Sequence, residues 1–390
     1  MYRIRTMNKI SPEGLELFPR DKYEVASDLP NPDAILVRSA ELHEMEIPET
    51  LKAIARAGAG YNNIPVAACT DKGIVVFNTP GGNANAVKEL AIASLLISSR
   101  KIFDGIAWAK TIADRKDEVP DLVEKGKSKF EGPEIKGKTL GVIGLGAIGV
   151  MVANDAIALG MDVIGFDPFI SVDAAWNLSR SVKRADTLES LLMKSDYVTL
   201  HVPLSDATKG TLDAGKFRIM KKGARVLNLA RGGLVNEADM IVALNEGRIG
   251  SYVTDFPSAE LLACPGAICV PHLGASTPEA EDNCAMMAVR QLMDFLESGS
   301  IRNSVNFPHC RLDQRAPYRL IVANRNIPNM VGQITTILAG ASINITDMIN
   351  HHRDDHAINL IDTENLIPPE VMEKIAAVDG IIRVRTITKS

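Results

Sequence analysis

Short apolar runs recur through the first hundred residues, each closed by glycine, serine or proline. AILVRSA (34–40) and GIVVFNTP (73–80) predict strands, and LKAIARAGAG (51–60) predicts a helix running into a strand. ANAVKELAIASLLISSR (84–100) is apolar nearly all round, which predicts a long buried helix. The polar stretch 113–138, ADRKDEVPDLVEKGKSKFEGPEIKGK, reads as helix ends and an exposed arm.

From Thr139 the register changes to strand–helix units in quick succession. TLGVIGLGAIG, MDVIGFDP, YVTLHVPL, ARVLNLARGG, SYVTDFP and AICVPHLG are six β-branched, apolar runs. Polar helices such as ADTLESLLMKS and NEADMIVALNEG separate several of them. This alternation predicts a doubly wound parallel sheet. TPEAEDNCAMMAVRQLMDFLESG (277–299) predicts another long helix, and IRNSVNFP (301–308) a return of the chain to an earlier domain. The last seventy-odd residues read strand, helix, strand, strand, helix, strand, the order of a small ferredoxin-like unit with its own core. HHRDDH (351–356) reads as an exposed loop between two of those strands, with no metal expected, because it lacks the spacing that places ligands on one helix face.

The fold class expected is therefore α/β: two doubly wound, Rossmann-like parallel-sheet domains and a C-terminal βαββαβ domain. Residues 1–98 with 282–308 are assigned to one domain and 99–281 to a dinucleotide-binding domain. Residues 309–316 are read as a linker, and 317–390 as the small C-terminal domain.

Composition narrows the function classes. A formal charge of −5 offers no broad basic face to nucleic acid. No apolar run reaches the roughly 18 residues of a membrane span. Five scattered cysteines without a C-x-x-C pair fit reduced thiols in a cytoplasmic protein.

Gly144-x-Gly146-x-x-Gly149 directly follows a predicted strand and opens a helix, and Asp167 closes the next strand. Glycines at that turn let backbone approach a pyrophosphate at a helix N-terminus, and an acid one strand on accepts from ribose hydroxyls. Asp167 would repel a 2′-phosphate, and no arginine adjoins it, which favours NAD over NADP. Three further polar residues follow later strands: Arg231 after VLNLA, Asp255 after SYVT, and His272 after AICVP, with Glu260 shortly beyond Asp255. Taking a hydride from an alcohol carbon requires a base for the hydroxyl proton and a cation for a substrate carboxylate. Imidazole is the side chain whose intrinsic titration falls near neutrality, so His272 suits the base, with Glu260 orienting the ring. Arg231 suits the carboxylate, which a guanidinium grips with two prongs.

GVIGLGAIG, NLARGGLVNE and VPHLGAST together resemble the three signatures of the D-isomer-specific 2-hydroxyacid dehydrogenases. The likeness runs from residue 1 to about 308, through RAGAGYNNI and NSVNFP, and the tail from about 317 resembles an ACT domain, a small-molecule sensor. The resemblance implies an Arg231–Glu260–His272 triad. It implies NAD contacts at Ala147 and Ile148 beside the three glycines, at Asp167, Val202, Leu229, Ala230, Gly274 and Ala275, and at Asp255 near the nicotinamide. Arg38, Ser39 and Arg56 match positions that hold the acidic substrate, with the Gly58, Ala59 and Gly60 amides receiving its carboxylate. The substrate implied is 3-phospho-D-glycerate, oxidised on the way to serine. Its phosphate needs further cations, for which Lys127 in the exposed arm is a third candidate. In the tail, Asn329 and Asn344 match amide positions that bind an amino-acid effector. A homodimer or homotetramer is expected. A different 2-hydroxyacid dehydrogenase, such as a glyoxylate/hydroxypyruvate reductase, and an NAD(H)-sensing binding protein stay open as alternatives.

Overall fold

The computed structural model describes residues 1–389, which divide into two compact units: Met1–Asn83 with the chain from Pro278 onward, and Ala84–Thr277.

The first unit opens with five parallel strands: β1 (Tyr2–Met7), β2 (Tyr23–Ala26), β3 (Ala34–Val37), β4 (Ala53–Arg56) and β5 (Val75–Phe77). Their order is β2-β1-β3-β4-β5, a doubly wound sheet whose switch point lies between β1 and β3. Both faces are covered, so strands such as Ala34–Val37 are apolar at every position. Ile35, Val37, Ile54 and Val76 face one cluster with Leu42, Ile64 and Cys69. Leu36, Ala55 and Phe77 face the other, against Cys284, Ala288, Leu292 and Phe295 of the long Pro278–Ser298 helix. The helix expected at the start of LKAIARAGAG is absent: residues 53–56 are strand throughout. Alanine favours helix, but a central strand buried on both faces overrides that preference. The returning segment lies beside β5, with Val305 N–H donating to Val76 O and Asn306 Oδ1 accepting from Val76 N–H.

The second unit holds seven parallel strands: β6 (Thr139–Ile143), β7 (Asp162–Phe166), β8 (Lys183–Arg184), β9 (Tyr197–Leu200), β10 (Ala224–Asn228), β11 (Ile249–Thr254) and β12 (Ala267–Cys269). Their order is β12-β11-β10-β9-β6-β7-β8. All six expected strands are present, and the two-residue β8 is additional. The Ala84–Ser99 helix belongs to this unit, where Val87, Ala91 and Leu95 share a core with β6, β7 and the Ala147–Ala158 helix. Its last residue, Ser99, bonds the buried Tyr197 hydroxyl at 2.6 Å.

The C-terminal part of the first unit is a four-stranded antiparallel sheet of β13 (Tyr318–Arg325), β14 (Ile345–Arg353), β15 (His356–Thr363) and β16 (Ile381–Thr388), ordered β14-β15-β13-β16. Two helices, Met330–Gly340 and Pro369–Ala376, complete the βαββαβ order. The period of two along β13 splits its side chains between two cores. Leu320 and Val322 join the sheet's own helices, while Ile321 and Ala323 join the cluster of the long helix. Arg385 reinforces the second face: it lies 4.2 Å from the Phe295 ring and donates to Phe295 O at 2.7 Å. HHRDDH is not a loop. His351 and His352 lie in β14, which ends at Arg353, His356 begins β15, and only Asp354 (φ +50°) and Asp355 turn the hairpin. Among the described residues, no helix is long and apolar enough to cross a membrane.

Candidate active site

In the second unit, every residue singled out by the strand-end pattern stands at the carboxyl edge of the sheet. Read across the strand order, His272 follows β12, Asp255 β11, Arg231 β10, Val202 β9, the glycine loop β6 and Asp167 β7. Five strand spacings of about 4.8 Å make this row roughly 24 Å long, the scale of an extended dinucleotide.

The three glycines have separate reasons. Gly144 takes φ +90°, and a Cβ there would meet His201 O at 2.7 Å. At Gly149 a Cβ would stand 2.0 Å from Gly144 O, so loop and helix pack backbone to backbone. Gly146, the residue before the twelve-residue Ala147–Ala158 helix, has nothing within 4 Å of where its Cβ would be. Open space at the middle glycine, before the unpaired N–H groups of a helix, is what a pyrophosphate requires. Asp167 is tied to the same loop, its Oδ2 accepting from Leu145 N–H at 2.8 Å. The residues present fit NAD.

Arg231 is exposed and sits on a fastened turn. The fully buried Asn228 side chain donates to Arg231 O at 2.8 Å and accepts from Ala230 N–H at 3.3 Å. Asp255, 1% exposed, is spent on the neighbouring loop: Oδ1 accepts from Leu273 N–H at 2.6 Å and Oδ2 from Gly274 N–H at 2.8 Å. That pair of bonds holds the turn bearing His272, which has φ +54°. The exposed imidazole lies edge-on to Phe256, with ring centroids 5.2 Å apart. Glu260 is exposed on the short Ala259–Leu262 helix. Among the described residues no hydrogen bond joins it to His272. His201 closes the row's middle. Its ring Nδ1 is enclosed without a partner among the described residues, Nε2 lies 3.0 Å from Thr199 Oγ1, and burial lowers its pKa to about 4. Lys127 is exposed and paired with Glu124 at 2.5 Å.

The first unit presents its own set at the carboxyl edge of its sheet. Arg38 follows β3, and Arg56 ends β4 opposite Val37. Asn8, after β1, shapes the loop at the switch point, its Oδ1 accepting from Ser39 N–H at 3.2 Å and from Ala40 N–H. The Arg56 guanidinium lies against the Gly58–Gly60 turn, where a Cβ on Gly58 would meet Nη1 at 2.2 Å. Arg38 Nη2 donates to Glu281 Oε1 at 2.5 Å. Cys284, one helical turn beyond, has its thiol pKa raised by burial, although a Thr79 hydrogen bond and the nearby Arg56 and Arg38 oppose the rise. In the C-terminal part of the first unit, Asn329 (φ +68°) and Asn344 are both exposed.

Asn8, Asn228, His201 and Glu281 escaped the sequence reading. Asn228 alone carried a signal, as a polar residue ending a buried run. The others depend on partners distant in sequence or on the neighbouring strand end.

Comparison with known proteins bears on this geometry. Residues 94–274 match the model of the D-isomer specific 2-hydroxyacid dehydrogenase NAD binding domain. By this match the chain carries an NAD-binding domain similar to that of the D-isomer-specific 2-hydroxyacid dehydrogenases. The family's NAD-binding region covers the glycine loop, Arg231 and His272. The chain is 35% identical over 335 residues to D-3-phosphoglycerate dehydrogenase of Archaeoglobus fulgidus, which covers 83% of this chain and 60% of that relative. It is 34% identical over 340 residues to the enzyme of the same name from Methanocaldococcus jannaschii, covering 84% and 61%. The chain thus spans about three-fifths of the length of these relatives. Among solved structures, NAD+-bound 3-phosphoglycerate dehydrogenase of Entamoeba histolytica is similar with a TM-score of 0.61 and 27% identity, covering 78% of this chain and 98% of that one.

Proposed function

We propose that the protein is an NAD-dependent dehydrogenase that oxidises 3-phospho-D-glycerate to 3-phosphohydroxypyruvate, as a homodimer or homotetramer in the cytoplasm. The observation that carries the reading is the buried Asp255 carboxylate, which accepts from two backbone N–H groups of the His272 turn and follows the strand next to that of Arg231. A general base and a cation fixed on the two strand ends that flank Asp255 are what oxidation of a 2-hydroxy acid demands. Similarity to the D-3-phosphoglycerate dehydrogenases of A. fulgidus and M. jannaschii supports the phosphorylated substrate.

NAD, when bound, supplies the hydride acceptor. Gly144, Gly146 and Gly149 with the helix they open, and Asp167, would hold it, with Val202, Leu229, Ala230, Asp255, Gly274 and Ala275 along the same edge. His272 takes the hydroxyl proton, and Glu260 is the carboxylate assigned to steady the imidazolium. Arg231 holds the substrate carboxylate and polarises the oxygen on the reacting carbon. Arg38, Ser39 and Arg56, with the Gly58, Ala59 and Gly60 amides, bind the rest of the acid, and Lys127 offers a further cation. Asn329 and Asn344 are the residues assigned to an amino-acid effector.

Replacing the base tests the scheme. His272→Gln is expected to lower kcat by about 10²–10⁴-fold while NADH affinity stays within twofold. A variant with unchanged kcat would remove His272 from the chemistry.

A further inference from the structure

Arg38 is not waiting with an open hand. Its guanidinium meets the Glu281 carboxylate at 2.5 Å, and the two side chains are 41% and 42% exposed. Arg38 stands at the switch point of the first sheet, on a loop shaped by Asn8. Glu281 lies in the first turn of the Pro278–Ser298 helix, where the macrodipole favours a negative charge. That turn is itself pinned, because Ser11 Oγ donates to Asp282 Oδ1 at 2.5 Å. The acid is therefore held at the arginine by the fold, 243 residues away in sequence. A glutamine would offer the same reach without the charge.

We propose that Glu281 is an internal anion that occupies Arg38 and must be displaced when a phosphorylated acid binds, so that it sets affinity for the phosphate. This rests on the assignment of Arg38 to the substrate under the proposed function. A dianionic phosphate outcompetes a single carboxylate for a guanidinium, because both its charge and its acceptor count are greater. The displaced carboxylate then stands close to the incoming dianion and repels it. A ligand that lacks the phosphate does not reach Arg38 and leaves the pair closed. Glu281 thus taxes the phosphorylated ligand specifically. The tax falls equally on ground state and transition state, so it appears in KM and not in kcat.

The test is calorimetric titration of the full chain with NADH present, using 3-phosphoglycerate and, separately, unphosphorylated glycerate. Exposed ion pairs are weak, so the expected change is about two- to fivefold. Glu281→Gln and Glu281→Ala should both bind 3-phosphoglycerate tighter by that factor, with glycerate affinity unchanged. Steady-state kinetics should show a lower KM for 3-phosphoglycerate at constant kcat. Unchanged or weaker 3-phosphoglycerate binding in either variant overturns the proposal, as does equal tightening for glycerate. Binding of 3-phosphoglycerate to neither wild type nor variants overturns it too. If wild type binds 3-phosphoglycerate but does not reduce NAD with it, the proposed function fails, and the affinity ratio still decides the role of Glu281.

Discussion

Asp255 shows how one buried side chain can fix the backbone that bears another. A buried carboxylate needs partners, and here two consecutive backbone N–H groups supply them, which fixes the position of the histidine before them. Asn228 does the same for Arg231 from the next strand. His201 illustrates the opposite condition, a ring nitrogen enclosed with no hydrogen-bond partner among the described residues. Burial lowers its pKa from the usual 6.5 to about 4, so folding favours the neutral ring. The unfolded chain then binds more protons between those values, and stability falls as pH drops from 6.5 towards 4. The loss amounts to at most about 3 kcal/mol. Comparison of denaturant unfolding at pH 7 and pH 4.5 should show a smaller drop for His201→Gln than for wild type. Equal drops would show that the ring does not titrate as argued.

Among the elements, the glycine loop separates fold from binding. Gly149 is required by packing, because its Cβ would stand 2.0 Å from a carbonyl, whereas Gly146 faces open space. Gly149→Ala is expected to lower Tm by several degrees and abolish NADH binding together. Gly146→Ala is expected to melt as wild type does, yet bind NADH at least about tenfold more weakly, since a methyl group would fill the open space proposed for the pyrophosphate. Melting curves and NADH fluorescence titrations read both effects. Full NADH affinity in Gly146→Ala would contradict the assignment of the loop. This element was legible from sequence because its chemistry is local: strand, glycines, helix and Asp167 lie within thirty residues. The stretch 51–60 was not, since an alanine-rich run of four residues becomes strand only through the sheet that buries it. HHRDDH was misread for a related reason. A two-residue turn with Asp354 at positive φ allows strands to run to its very edge.

For the whole molecule, alternation of strands and helices was enough to give two doubly wound sheets and a βαββαβ tail. The sharing of the tail's sheet was not visible. Ile321 and Ala323 read as ordinary strand residues, and only the structure reveals that they face the long helix while Leu320 and Val322 face their own. Arginines secure that face: the buried Arg319 pairs with Asp362 at 2.6 Å and donates to Ser298 O at 2.9 Å, and the half-buried Arg385 donates to Phe295 O. Cations at the carboxyl end of the Pro278–Ser298 helix satisfy its last carbonyls and complement its dipole. The same helix carries Glu281 at its other end. The candidate site was legible where a residue announces itself at a strand end, as Arg231, Asp255 and His272 do. It was illegible where a partner comes from afar, as Glu281 comes to Arg38. The central claim is the proposed activity: a bound NAD, a phosphorylated 2-hydroxy acid and the chemistry between them. It is tested most directly by NADH absorbance with the purified protein, run forward with NAD and 3-phosphoglycerate. The reverse assay uses NADH with 3-phosphohydroxypyruvate beside glyoxylate, hydroxypyruvate, pyruvate and 2-oxoglutarate. The account predicts a clear preference, in kcat/KM, for the phosphorylated pair. A preference for an unphosphorylated acid, or turnover with none of them, would contradict it.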